Sequence, residues 1–590
     1  MKLPKLVAPT LVEAVGQLAR HTDRGFVFVK PDGQERSLSF REIHEEAQRR
    51  GAHMAARGIE KGDRVAMVIP DGDEFVLSFL GAIFAGAVPV PIYPQLSFKN
   101  VESYHDTVAH IARASGAKLL LTTPSTKQYV DPVLPRVETL GDIVTVDEFA
   151  APAPGVLDVK VNPEDTAFLQ FTSGSTSRPK GVVVSHANLA WNSEAFMIHG
   201  LARVSAVDKG VSWLPLFHDM GLIGYVIGPL FTDIPCVFLP TASFVRAPRS
   251  WLQTIHKHRG TIIYAPNFAY QLVAKRIKEK ELADLDLSCV KRAGCGAEPI
   301  QARTLRDFAE KTRSAGFDPK AFLPSYGMAE ATLAITFVPH STGVKADVID
   351  PAALEKGTAK PVDAAALQGA GVETREIVNC GRPFPEHQVA IVDDETGRAL
   401  GERQVGHIVT KGPSVTSGYF QEPELTAASW RKGPDGDTWL YTGDLGYLAD
   451  GDLYICGRLK DIIIIRGRNF YPTDLEWVVS ELPGVRRGNV VAFGVDVEGE
   501  EQLVICAEAF QSEAAGLTEQ ITQAIAAQVG LSVHRVAIVP QGSLPRTSSG
   551  KAQRRKTKQM FLDGTLPKPR TGGAGAVDGA AESAASADEA

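Results

Sequence analysis

The chain has 590 residues, too many for one hydrophobic core, so at least two domains are expected. A composition of 44% apolar and 22% charged residues supports a large core and excludes a wholly disordered chain, and a formal net charge of -7 argues against a general nucleic-acid binder. The six cysteines (Cys236, Cys289, Cys295, Cys380, Cys456 and Cys506) form no C-x-x-C pair, which argues against a zinc knuckle or a disulfide framework and fits a reducing cytosol. The N-terminal stretch MKLPKLVAPTLVEAVGQ lacks the long apolar core of a signal peptide, and no run approaches the roughly 20 apolar residues that span a bilayer. The expectation is a cytoplasmic protein that is not an integral membrane protein.

Thr10 with Glu13 and Ser39 with Glu42 read as capping boxes that start helices. "RVAMVIP" (64–70) is a buried-strand run, Phe75, Val76, Phe79, Leu80, Ile83 and Phe84 mark one helix face, and "AVPVPIY" (87–93) is strand-like again. Strand, helix and strand with short joins predict a parallel sheet covered by helices, and "AKLLLTT" (117–123) and "TAFLQFTSG" (166–174) are expected to continue it. Segment 338–380 is rich in Ala, Gly and Pro with weak periodicity, and reads as an insertion packed on the body. Past Gly457 the pattern changes to short strands and helices, beginning with "PTDLEWVVSEL", where Pro472 and a Thr473/Glu476 capping box open a helix with Leu475, Val478, Val479 and Leu482 on its face. "NVVAFGV", "LVICAEAF", a helix over 518–529 and "RVAIVP" complete a small α+β domain, and 566–590, without aromatics, reads as a disordered tail or linker.

Chemistry concentrates in "FTSGSTSRPKGVVVSH" (171–186), which leaves a predicted strand end, where α/β sheets tend to bind ligands. It fails the Walker A spacing because Lys180 precedes Gly181. Glycine lets backbone approach a phosphate, Ser173, Ser175, Thr176 and Ser177 donate hydrogen bonds, and Lys180 supplies charge. "SGS" alone would be an ordinary solvated turn; the whole stretch reads as a phosphate loop. "RTSSGKAQRRK" (546–556) is a second Gly-Lys element, and two such loops, one in each domain, point to a triphosphate gripped from both sides.

These stretches, with others in a fixed order, resemble the adenylate-forming superfamily of acyl-CoA synthetases, peptide-synthetase adenylation domains and luciferases. "FTSGSTSRPKG" resembles its phosphate loop, "WLPLFHDMG" (213–221) its aromatic-site motif, and "GAEP" (296–299) and "SYGMAEAT" (325–332) its adenine and magnesium motifs. "YTGDLG" (441–446) resembles the ribose motif, "GRLKD" (457–461) the hinge and "LPRTSSGK" (544–551) the catalytic-lysine loop. "SWLPLFHDMGLIG" and "RGRNFYPTDLE" (466–476) resemble the fatty acyl-AMP ligases in particular, although many of those have His where Phe470 stands. The stretch from Thr332 to Gly381 is longer than in a typical CoA ligase, and an insertion here is the hallmark of the acyl-AMP ligase branch, where it is taken to restrain the domain rearrangement that CoA transfer needs.

The resemblance implies an α/β fold: a large N-terminal adenylate-forming domain over 1–459, containing the 338–380 insertion, a small mobile α+β lid over 460–565, and the tail 566–590. It implies ATP with Mg²⁺, a medium or long-chain fatty acid as substrate, and a holo acyl-carrier protein of a polyketide or peptide synthase as acceptor. Lys551 would bridge carboxylate and α-phosphate, Glu330 would hold Mg²⁺ with Thr176 near the phosphates, and His218 would gate the acyl carboxylate. Thr172, Ser173, Gly174, Ser175, Thr176 and Lys180 would hold the phosphates, and Ala297, Glu298, Ser325, Tyr326, Gly327 and Met328 the adenine. Asp444, acceptor-only as a carboxylate, would take both ribose hydroxyls with Arg458 behind it, and Lys460 would be the hinge. Trp213, Leu216, Met220 and Ile223 are candidates for the acyl pocket, a role that plain core residues mimic. Arg546, Arg554, Arg555, Lys556 and Lys558 form a basic cluster suited to an acidic carrier, or simply a solvated face. The alternatives are a long-chain acyl-CoA synthetase and, in another class, a non-catalytic acyl-adenylate or carrier-binding protein.

Overall fold

The computed structural model describes residues 3–94, 101–172, 179–362, 374–465, 468–497, 500–510, 516–546 and 552–567. The chain divides into two compact units, the first running to Tyr471 and the second beginning at Pro472.

The first unit carries the large sheets. Arg64–Val68, Val88–Pro91, Ala117–Thr122 and Asp142–Thr145 form the four-stranded all-parallel sheet expected from the early strand–helix–strand pattern. Both of its faces are covered: Val65 and Met67 belong to the larger core, while Ala66 and Val68 point into a second one with Val90, Val108 and Leu120. That double burial explains why the strands read as continuous apolar runs. The Ser39/Glu42 capping box forms in full, whereas at Thr10 the cap is the Thr10 hydroxyl accepting the Glu13 N–H.

The same unit holds a nine-stranded sheet, in which the strands Gly210–Ser212, Ile262–Ala265, Arg292–Cys295 and Phe322–Gly327 run parallel, and a five-stranded sheet that includes Gly406–Lys411, Thr438–Ala449 and Asp452–Arg458. "WLPLFHDMG", "GAEP" and "SYGMAEAT" therefore all lie at the C-terminal ends of strands of one sheet.

Thr166–Thr172 departs from expectation. It does not extend the parallel sheet but pairs antiparallel with Lys180–Ser185, so the phosphate-type loop is the turn of a hairpin. The hairpin is wedged between the two cores. Phe168, Val182 and Val184 face the larger core, while Leu169, Phe171 and Val183 face the smaller, as the period of two along a strand requires. An apolar run buried on both faces looks the same in sequence whether its partner is parallel or antiparallel.

The insertion is more regular than its composition implied. Ala346–Ile349 and Arg375–Val378 pair antiparallel, and Ile349, Leu354, Ala359 and Ile377 pack with Tyr447, Ala449, Cys456 and Tyr471. Asp347 accepts hydrogen bonds from Arg403 and the Tyr447 hydroxyl, both at 2.8 Å. Its part over 363–373 lies outside the described residues.

The second unit is a three-stranded sheet of Val485–Val497, Glu500–Ala509 and Val533–Val539 with helices Pro472–Ser480, Leu517–Val529 and Arg554–Leu562. The expected Thr473/Glu476 box is not what starts its first helix. Pro472 takes the first position, Thr473 falls inside, and the Glu476 carboxylate accepts instead from the Ala492 N–H at 2.9 Å and from Arg554 at 2.7 Å. Pro at the first helical position leaves no donor to cap there. Leu566 packs against this unit's core, and the rest of the predicted tail, from 568, lies outside the described residues. All six cysteines are free and buried. Among the described residues no helix is long and apolar enough to cross a membrane.

Candidate functional site

Of the expected phosphate-binding residues, Ser173, Gly174, Ser175 and Thr176 lie outside the described residues, as does Lys551. Thr172 and Lys180, which close the hairpin as register partners, are described and half-buried.

From Lys180 a chain of contacts leads to Glu330. The Lys180 ammonium lies 5.1 Å from the centre of the Tyr419 ring, and the Tyr419 hydroxyl donates to Glu330 Oε1 at 2.8 Å. Tyr419 is placed by backbone. It bridges Val182, the Val183 N–H donates to Gly418 O at 3.0 Å, and the Phe420 N–H donates to Gly181 O at 2.7 Å. The Glu330 backbone oxygen accepts from the Thr416 N–H and hydroxyl at 3.0 and 2.9 Å. Burial pushes the Glu330 carboxyl up, against the Tyr419 hydrogen bond that lowers it. Two residues past Glu330, Thr332 holds φ +69, a costly conformation for a β-branched residue, with its hydroxyl donating to Ser414 O at 2.6 Å.

A second constellation joins the adenine-type and ribose-type motifs. The Tyr326 hydroxyl donates to Asp444 Oδ2 at 2.6 Å, with both residues buried. Arg458, the antiparallel register partner of Asp444, brings Nε within 3.3 Å of Oδ1 and keeps 63% of its side chain exposed. Burial holds the Tyr326 phenol far above its ordinary range, with the Asp444 charge as the next cause. It therefore stays a donor.

The remaining expected residues take varied places. Ala297 sits at φ +69 in the turn after Arg292–Cys295, while the Glu298 carboxylate accepts the Phe268 N–H at 2.6 Å and so caps the helix Asn267–Arg276. Ser325 is buried, its hydroxyl against those of Tyr264 and the Cys295 carbonyl, and Gly327 and Met328 are half-buried. A Cβ on Gly327 would collide with Leu333 O. His218 Nδ1 lies 2.5 Å from Asp219 Oδ1 and faces the Met220 N–H at the start of a short helix, so the pair serves a turn. Among the described residues no group of three or more metal-ligating side chains is assembled. Lys460 is exposed in the turn Leu459–Asp461. Trp213, Met220 and Ile223 are core residues, Trp213 stacking on Phe244 at 3.9 Å, and only Leu216 is half-buried. Phe470 is buried with the Arg468 guanidinium 5.0 Å from its ring centre.

The basic cluster is not one surface. Arg554 is bound to Glu476 and to Ala492 O at 2.9 Å, and Arg546 to Asn489 Oδ1 at 2.8 Å and to Gly488 O, so both hold the second unit together. Arg555 and Lys556 are exposed and Lys558 half-exposed on the helix that follows. Tyr419 and Thr416 were not singled out from the sequence, and "TSGYF" carries no local pattern beyond a turn that would have found them.

The AMP-binding enzyme family matches residues 16–420, and the pattern described as the Disco-interacting protein 2-like AMP domain matches residues 460–571. A Caulobacter vibrioides protein whose name places it provisionally among acyl-CoA synthetases is 37% identical over 94% of this chain and 96% of its own length. The medium-chain-fatty-acid–[acyl-carrier-protein] ligase JamA of Moorena producens is 34% identical over 90% of each chain. A solved structure from work on fatty acyl-adenylate ligases of E. coli and L. pneumophila superposes with a TM-score of 0.88 at 34% identity, covering 95% of this chain and 99% of that one.

Proposed function

The chain belongs to the AMP-binding, adenylate-forming enzymes, and on that premise we propose that it activates a medium or long-chain fatty acid with ATP to acyl-AMP and pyrophosphate, then passes the acyl group to the phosphopantetheine thiol of a carrier protein. The observation that carries the adenylation reading is the set of Tyr326, hydrogen-bonded to Asp444, and Arg458, ion-paired with it, brought together from separate motifs of the chain.

The reaction sets a carboxylate anion against a phosphate anion, so the protein must mainly align and neutralise. Lys180 and the loop before it would hold the phosphates, Tyr326 would offer a ring to the adenine, and Asp444 would accept the ribose hydroxyls. Arg458 sets its positive charge 3.3 Å from that carboxylate. Lys551 would supply the mobile cation at the reacting carboxylate and α-phosphate, a role suited to a strongly hydrated point charge. Its loss is expected to cost several orders of magnitude in adenylation.

Glu330 offers a half-buried carboxylate with one oxygen engaged by Tyr419, a hard oxygen donor that suits Mg²⁺ shared with a nucleotide. Bound there, Mg²⁺ would neutralise phosphate charge.

Carrier over CoA is supported by the insertion. Arg375 lies 4.5 Å from the Tyr471 ring centre and donates to Cys456 O at 3.0 Å, and Glu355 pairs with Arg468 at 2.7 Å, so the insertion is fastened to the last stretch of the first unit. Fastening of this kind fits a restrained hinge. The likeness to a protein named for acyl-CoA synthesis keeps the CoA reading as the second one.

The test preloads the enzyme with ATP, Mg²⁺ and radiolabelled dodecanoate, then offers CoA or holo-carrier protein in parallel. Carrier loading with almost no acyl-CoA is expected. Brisk acyl-CoA formation would replace the proposal by the second reading, and no adenylate at any chain length would leave only a binding protein.

A further inference from the structure

Asp444 stands in a stretch that keeps its pairing with Arg458 on one side but breaks away from the neighbouring strand on the other. Along Gly406–Lys411 the pairing runs His407 with Leu445 and then Val409 with Tyr441, so Thr442, Gly443 and Asp444 bulge out opposite Ile408. A bulge re-aims side chains and is common beside active sites, but its backbone loses ladder partners that must be replaced.

Three replacements are visible. The Thr442 hydroxyl donates to Ile408 O at 2.8 Å and accepts the Asp444 N–H at 3.1 Å. Gly443 adopts φ +77, which a side chain would strain. The Gly443 N–H donates to His407 Nε2 at 2.8 Å. A backbone N–H can only donate, so Nε2 carries no proton and the ring proton sits on Nδ1, facing Asp394 Oδ1 at 2.8 Å. Arg431 reaches the same oxygen at 3.2 Å, and its guanidinium lies 3.7 Å from the Tyr441 ring centre. The imidazole is thus locked in one tautomer, 4% exposed and edge-on to Tyr441 at 5.2 Å.

We propose that His407, fixed by Asp394 and Arg431, is a positioning residue for nucleotide binding: its unprotonated Nε2 holds the Gly443 N–H and so sets the turn from which Asp444 reaches the ribose. His407 touches no reactant and acts through the Gly443 backbone. The inference rests on the reading above that Asp444 accepts the ribose hydroxyls.

Two isosteres separate the two hydrogen bonds. Asn places an amide donor where Nδ1 stands and nothing at Nε2, whereas Gln extends an acceptor oxygen to Nε2. ATP–pyrophosphate exchange is measured with ATP and with 2′-deoxy-ATP for the full-length protein, for His407→Asn, for His407→Gln and, in parallel, for Asp444→Ala. His407→Asn is expected to raise the KM for ATP about tenfold, with kcat much less affected, and to shrink the preference for ATP over 2′-deoxy-ATP. His407→Gln is expected to recover most of that preference. Equal behaviour of the Asn and Gln variants, or an unaltered preference in His407→Asn, would overturn the proposal and leave the ring as packing. If Asp444→Ala leaves the preference intact, the ribose reading fails on its own account. Should His407→Asn not fold, Asp394→Asn, at a 43% exposed side chain, takes its place: a smaller shift in the same direction supports the proposal and no shift overturns it.

Discussion

Tyr419→Phe removes one hydroxyl from the site and little else. The ring remains beside Lys180 at 5.1 Å, and the backbone pairing of 418–420 with the hairpin does not involve the side chain. The loss is the 2.8 Å hydrogen bond to Glu330 Oε1. A hydrogen bond to an ionised group is worth about 1.5–3 kcal/mol, and because both partners are half-buried, water can recover part of it, so the lower end applies. The expected result is about a tenfold fall in kcat/KM for adenylation. There is also a pH signature. Burial already raises the Glu330 carboxyl and Tyr419 opposes it, so removing the hydroxyl raises it further and moves the acid limb of the rate profile to higher pH. Tyr419→Leu adds the loss of the ring face under Lys180, about 0.5–1 kcal/mol more, felt mainly in the KM for ATP. The assay is pyrophosphate exchange from pH 5.5 to 9 across a series of Mg²⁺ concentrations. If Tyr419→Phe matches the natural enzyme within twofold, with the same acid limb and Mg²⁺ dependence, the hydrogen bond does not orient Glu330 and the reasoning fails.

Other predictions follow from the same contacts. Arg375→Ala combined with Glu355→Ala cuts the insertion's side-chain contacts with Tyr471 and Arg468, and acyl-CoA yield should rise several-fold in the CoA arm while carrier loading persists; unchanged yield would deny the insertion that role. His186, buried and accepting the Leu11 N–H at 3.3 Å, is held down at about 4, chiefly by burial. Its unfolded form titrates near 6.5, so the unfolded chain binds more protons between these values, and stability present above about pH 6.5 falls by at most about 3 kcal/mol as the pH drops to 4. Urea midpoints at pH 7 and 4.5 should separate accordingly, and His186→Gln should flatten the difference. Lys556→Glu with Lys558→Glu should slow acyl transfer to the carrier without slowing adenylate formation, in a stopped assay of each step. Arg554→Glu should instead lower the melting point, because it opposes Glu476.

What the sequence determined by itself was the chemistry and its order along the chain. Gly, Ser and Lys around Lys180, "YGMAE", "TGDLG" and a late Gly-Lys turn are local patterns that resemble the motifs of adenylate-forming enzymes, so they are legible without a fold. The parallel early sheet was legible too, since short joins between apolar runs and a helix face leave few other topologies. Tertiary structure decided the rest. Whether "TAFLQFT" joined a parallel sheet or folded back as a hairpin depended on which side chains lay across from it, and a doubly buried strand gives no sign of that. Tyr419 meets Glu330 across 89 positions, Tyr326 meets Asp444 across 118, and Arg554 meets Glu476 across 78. Periodicity tells which face of an element is buried but not what it is buried against. A tyrosine that orients a carboxylate, a histidine that holds a bulge and an arginine that staples a helix therefore look like any others until the chain is folded.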